Sequence, residues 1–289
     1  MAVRAPAVSG WKAATGGGRS PASYLAFPRP AGAAIILPET VFVSEISVKY
    51  SNKRRIILAA IAFVAVAAAS WLAIRPAAAV LLCPDCFGFE RIGPNIYVEE
   101  SMAQDRRQAL IQSVETARRR IADFYGTRLS DPRILGCGSE ACYWRVGGVS
   151  AKGAAWGSIG VRLSPRGLSP TVVSHEMAHI ELHHRLGLLR LSTGAIPSWF
   201  DEGLAALISD DRRYLNAAGE GDRCVIESSD GLPAGFREWR KRAGQDGNLY
   251  AKAACQVWRW FDSAGAAGVM KLIDDVRDGV PFSIAYAHG

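Results

Sequence analysis

Ser169-Pro170-Thr171-Val172-Val173-Ser174-His175-Glu176-Met177-Ala178-His179-Ile180-Glu181-Leu182-His183-His184-Arg185-Leu186-Gly187 is the stretch on which the reading of this chain turns. Ser-Pro suits the cap and first turn of a helix, and Gly187 stands where such a helix can end. Inside it lies His175-Glu176-Met177-Ala178-His179, an H-E-x-x-H motif. Residues four apart on a helix sit one above the other, so two imidazoles can reach one metal ion. The intervening Glu176 faces the same site without occupying the ion and can move a proton there. Four of the five histidines of the chain fall in this stretch, at 175, 179, 183 and 184. His183 and His184 are expected on the surface or behind the ligands. Glu181 is expected on another face of the helix.

Outward on the C-terminal side, Pro197-Ser198-Trp199-Phe200-Asp201-Glu202-Gly203-Leu204-Ala205 begins a second helix running to about Ile208. It offers two carboxylates, Asp201 and Glu202, as a third ligand. A third histidine at position 185 with glycine at 182 would mark a different class, and this chain has Arg185 and Leu182 there. Two further helices are predicted over 251–261 and 266–276. On the N-terminal side, apolar residues at three- and four-residue spacing predict one long helix from Ser101 to Tyr125, ending at Gly126. Strands are predicted around 96–98, 133–135, 143–146 and 159–163, the last because Ile159, Val161 and Leu163 alternate with Gly160 and Arg162. A β-containing half followed by a helical half, with no repeat and no second core, is an α+β pattern.

The two motifs together resemble the H-E-x-x-H and W-[LF]-x-E-G-[LF]-A signatures of gluzincin zinc metallopeptidases, and the shorter bacterial peptidase MA-like domains more closely than the large aminopeptidases. The resemblance covers about residues 168–280. It implies a gluzincin-like fold, a small mixed sheet with a zinc-binding helix followed by a helical half. It also implies a zinc ion (Zn2+) held by His175, His179 and Glu202, with Glu176 as base, and Glu202 rather than Asp201 as the third ligand. Tyr250 resembles the tyrosine that stabilises an oxyanion in such peptidases, with Tyr214 the lesser candidate. The strand 159–163 resembles the edge strand that pairs with an extended substrate, which Gly157 and Gly160 would let approach.

The composition, 49% hydrophobic and 21% charged, is that of a chain with a packed core. The net charge of +7 hints at nucleic acid until it is located. Residues 1–55 hold eight Lys and Arg against Glu39 and Glu45, so the remainder is nearly neutral and nucleic-acid binding loses its support. These residues are expected to be a disordered basic cytoplasmic tail. Residues 56–74 carry no charge and are bracketed by Lys53-Arg54-Arg55 and Arg75, which predicts one retained transmembrane anchor. The positive-inside rule then keeps the tail in the cytoplasm and places the rest in the periplasm of a bacterial inner membrane. Cleavage near Ala77-Ala78-Ala79 is the competing expectation.

Residues 75–95 are read as a linker, followed by a peptidase MA-like domain over 96–289. All six cysteines lie beyond the apolar run, in keeping with an oxidising compartment. Pairs Cys83–Cys86, Cys137–Cys142 and Cys224–Cys255 are possible, although spacing does not settle connectivity. Cys83-Pro84-Asp85-Cys86 also has the spacing of a redox motif but lacks the βαβ pattern around it. The leading expectation is thus a membrane-anchored zinc metallopeptidase acting on peptides or proteins in the cell envelope. The alternative is a non-catalytic zinc-containing envelope protein that binds or assembles, and nothing in the residues sets the oligomeric state or the substrate.

Overall fold

A computed structural model describes residues 52–67, 76–219, 221–227 and 231–288 of the chain. Residues 1–51 of the expected 1–55 tail lie outside them, as do residues 68–74 of the expected 56–74 anchor, while residues 52–55 of the tail are helical rather than disordered. Residues 52–67 form helix α1 with every side chain exposed, Ile56, Ile57, Leu58, Ile61 and Phe63 among them. Among the described residues no helix is long and apolar enough to cross a membrane.

Five strands make one mixed sheet in the order β1-β2-β3-β5-β4: Phe89–Gly93, Ile96–Glu99, Arg133–Gly136, Gly153–Trp156 (β4) and Gly160–Leu163 (β5). β1 and β2 form an antiparallel pair turning at Asn95, which takes a left-handed φ of 55°. β2, β3 and β5 run parallel, and β4 lies antiparallel to β5 at the sheet's edge. Strand period sorts the side chains. Ile96, Val98, Ile134, Val161 and Leu163 enter the main helical core, while Leu135 joins Val80, Leu81, Phe89, Tyr143 and Val146 in a smaller cluster.

The predicted α+β class is what forms. After β2 comes α3 (Gln104–Tyr125), whose Leu110, Val114, Ala117 and Ile121 are wholly buried, ended by Gly126 at φ 74°. Helix α5 (Pro170–Thr193) packs along α3, and α6 (Ser198–Ile208) packs along α8 (Leu249–Asp278). Gly187 breaks α5 at φ 78°, ψ 161°, but a further turn follows it, so this glycine kinks the helix where an end was expected. Gly265 similarly divides α8, joining the two helices predicted over 251–261 and 266–276. Helices α7 (Phe236–Ala243) and α9 (Phe282–Ala287) complete the helical half.

Three expectations are corrected. Residues 76–95 are folded rather than a linker: α2 (Pro76–Leu82), a 3-10 turn at Asp85–Phe87 and β1. Apolar Ala78, Val80 and Leu81 are fully buried there, which is the driving force. Residues 143–146 belong not to a strand but to α4 (Glu140–Arg145) and its C-cap, because the Ser139 hydroxyl accepts from the Cys142 N–H and starts a helix. The edge strand is β4, not residues 159–163, which lie between β3 and β4. Gly160 faces the Leu81 side chain and the Arg133 carbonyl, so no peptide can reach it.

The cysteines pair as Cys83–Cys86, Cys137–Cys142 and Cys224–Cys255. The third ties the segment after α6 to α8. Glu181 is wholly buried on the face of α5 away from the H-E-x-x-H pair. It accepts from Leu129 N, Ser130 N, Ser130 Oγ and Arg185 Nε, fastening the loop after α3.

Gly203 sets how closely α6 approaches α8. A Cβ there would lie 2.5 Å from the Ala253 carbonyl oxygen, a backbone atom that cannot swing aside. Gly203→Ala is therefore expected to cost about 1–3 kcal/mol in denaturant unfolding. Gly247→Ala, where a Cβ meets nothing within 4 Å, should change stability by no more than about 0.5 kcal/mol.

Candidate metal centre

Helix α5 starts cleanly. Ser169 caps it, its hydroxyl accepting from Val172 N at 3.4 Å, and Pro170 fills the first turn. Its face at 175, 179 and 183 then meets α6 at the turn that carries Asp201 and Glu202. His175, Glu176 and His179 are each only 8% exposed. His175 Nε2 lies 3.2 Å from His179 Nε2 and 3.2 Å from Glu202 Oε2, and His179 Nε2 lies 3.4 Å from the same oxygen. Three lone-pair atoms thus surround one point.

That spacing fits a shared cation. A tetrahedral ion with bonds of about 2.0–2.1 Å keeps its ligand atoms about 3.3–3.4 Å apart. His175, His179 and Glu202 form a group that could hold a metal ion. The remaining ring nitrogen of His175, Nδ1, is buried without a protein partner, whereas that of His179 is engaged.

His179 Nδ1 donates to Asp201 Oδ1 at 2.6 Å, which leaves its Nε2 as the nitrogen that faces the cluster. The other oxygen of Asp201 accepts from His183 Nε2 at 2.8 Å, and His183 Nδ1 donates to the Gly157 carbonyl at 3.0 Å. Both partners of His183 are acceptors, so both ring nitrogens carry protons and the ring is cationic. Burial alone would lower the His183 pKa, but the Asp201 carboxylate outweighs it and raises it. Burial would raise the Asp201 pKa, yet His179 and His183 hold it far below the usual range. Burial would lower the His179 pKa, but the Asp201 and Glu202 carboxylates outweigh it and raise it well above the usual imidazole range. A divalent cation at the three ligand atoms would take the place of that proton beside Glu202.

His179, His183 and Asp201 form a second group whose ligand atoms converge. Its 2.6 and 2.8 Å separations are hydrogen-bond lengths, shorter than ligand atoms around one ion adopt. Asp201 is thereby set up as a bridge between two histidines, and Glu202 as the carboxylate of the first group.

Glu176 sits between the centre and the edge strand. Its Oε2 accepts from the Ala155 N–H at 2.8 Å. Gly153 crosses the same carboxylate so closely that a Cβ would stand 2.8 Å from Cγ and 2.9 Å from Oε1. Burial raises the Glu176 pKa, partly offset by His175 and His179. Glu202, somewhat more exposed, is lowered to about 2, because its pairing with His179 and His175 outweighs burial.

Tyr250 stacks on Tyr214 at 5.3 Å between ring centroids and meets Trp239 edge-on. Burial, then the Glu202 charge, raises its phenol pKa, so it stays a proton donor. Tyr214 is raised by burial too, and the Glu202 charge acts on it as on Tyr250. Sequence reasoning passed over β4, whose Gly153-Ala154-Ala155-Trp156 lacks the β-branched residues that signal a strand. Of the two places expected for His183, the surface or behind the ligands, the structure gives the second, bonded to Asp201.

Loss of one ligand should abolish the shared position. Glu202→Ala is expected to lose most of its divalent-metal binding, read as metal per chain by elemental analysis, while Glu181→Gln keeps it. No protein-family model matches this chain, and neither a curated protein nor a solved structure matches it.

Proposed function

We propose that this chain is a zinc-dependent metallopeptidase of the gluzincin type, with His175, His179 and Glu202 holding the ion. The observation that carries the reading is the convergence of the two Nε2 atoms and Glu202 Oε2 beside the buried, raised-pKa carboxylate of Glu176. A structural metal site needs no such base at its side. Two imidazoles and one carboxylate are the ligand set of catalytic zinc. Zinc bound there supplies Lewis acidity toward a water and a carbonyl oxygen.

The remaining chemistry belongs to the chain. Glu176, fixed through Oε2 by the Ala155 N–H, accepts a proton from the attacking water at Oε1 and returns it to the leaving amine nitrogen. A raised pKa suits a group that must both take and give a proton near neutral pH. The Tyr250 phenol donates to the oxygen on which charge develops. An extended peptide laid along the edge strand β4 would run its backbone past Glu176, which favours a peptide or unfolded protein segment as substrate.

The basic cluster before an uncharged 56–74 run and three disulfides support a single-pass inner-membrane protein with its domain in the periplasm. Cleavage of a quenched-fluorescent peptide library, with sites read by mass spectrometry, tests the activity. Glu176→Gln should retain zinc and lose about 100- to 10,000-fold in rate. A zinc-loaded wild type that cleaves nothing in folded or denatured protein substrates would favour the binding or assembly role instead.

A further inference from the structure

We propose that His183 is a positioning residue for the metal centre, acting through Asp201 to hold the ring of His179, and that it ties this ligand to the β4–β5 turn. The inference rests on the metal-binding reading above. Its basis is one unbroken chain of hydrogen bonds: the Gly157 carbonyl to His183 Nδ1, His183 Nε2 to Asp201 Oδ2, and Asp201 Oδ1 to His179 Nδ1. Each member is at least partly buried, so water competes poorly for these bonds.

The geometry explains why one carboxylate would not suffice. Asp201 can turn about its terminal torsion, and a single bond to His179 would leave that turn open. With both oxygens engaged on opposite sides, by two histidines one helical turn apart on α5, the carboxylate plane has one orientation. The imidazole of His179 then inherits it. Partners that hold a ligand's second nitrogen fix its tautomer and direction, and their loss typically costs about 10- to 100-fold in metal affinity.

His183 reaches further than a local brace. Gly157 takes a left-handed φ of 56° in the turn after the edge strand, and its carbonyl is the one His183 holds. Two residues earlier, Ala155 N–H holds the Glu176 carboxylate. The hairpin is thus pinned to α5 at two points, one leading to a metal ligand and the other to the base. A change at His183 should therefore disturb both.

The test uses the full-length protein in detergent, with zinc affinity measured by competition against a chromophoric chelator. His183→Phe keeps a ring and removes both donors; it should weaken zinc binding about 10- to 100-fold while the metal-free protein melts near the wild-type temperature. His183→Gln, which retains one donor, should fall between them and serves if the Phe variant fails to fold. Asp201→Ala should match His183→Phe, and the double variant should bind no more weakly than Asp201→Ala, because residues in one hydrogen-bond chain are not additive.

Unchanged affinity in His183→Phe, or losses that multiply in the double variant, would overturn the proposal. If the wild type itself held no zinc, the metallopeptidase reading would fail separately. The bridge would then be judged by NMR of the metal-free protein: a His179 Nδ1 proton protected in the wild type and exposed in His183→Phe supports it, and equal exchange rates overturn it.

Discussion

Two neighbouring carboxylates of one helix grip a single imidazole by its two nitrogens. Asp201 takes Nδ1 of His179 at 2.6 Å, and Glu202 faces Nε2 at 3.4 Å. Adjacent residues on a helix point about 100° apart, so both can serve one ring only where α6 crosses α5 close to that ring. Gly203, the next residue, allows the opposite face of α6 to lie against the α8 backbone. The candidate metal centre therefore depends on helix packing as much as on its own residues, and α8 contributes without supplying one of the three.

Charge explains why the arrangement is so specific. Several ionisable groups share a poorly solvated cleft, and each must be compensated. Glu176 and Glu202 are the same chemical group, yet burial wins at Glu176 and raises its pKa, while the histidines win at Glu202 and lower it. Carboxylates pushed apart in this way divide into a proton carrier and a permanent anion. The surroundings separate them: Glu176 has one backbone N–H, whereas Glu202 has two imidazoles.

The sheet serves the site from one side. Its central parallel strands are buried on both faces, with Ile134 and Val161 toward the helices and Leu135 toward the smaller cluster. Among the described residues β4 is the sheet's edge strand beside Glu176, whose carboxylate takes the Ala155 N–H. Its first three residues are small, and at Gly153 any side chain would collide with the Glu176 carboxylate. The chain there is built to let backbone and carboxylate come together.

Much of this was legible in the residues. The spacing of His175 and His179, the helix caps, the run of apolar residues in α3 and the α+β order are all short-range patterns, written in neighbouring positions. All three disulfide pairs stood among the possible ones, but the spacing left the connectivity open. Tertiary structure alone decided the rest. Residues 76–95 became part of the fold because Val80 and Leu81 found a cluster to fill, and β4 became the edge because the pairing order of a sheet is nonlocal. The roles of Asp201 and His183 depend on where α6 crosses α5, and a crossing is set by the packing of both surfaces, which no local pattern contains.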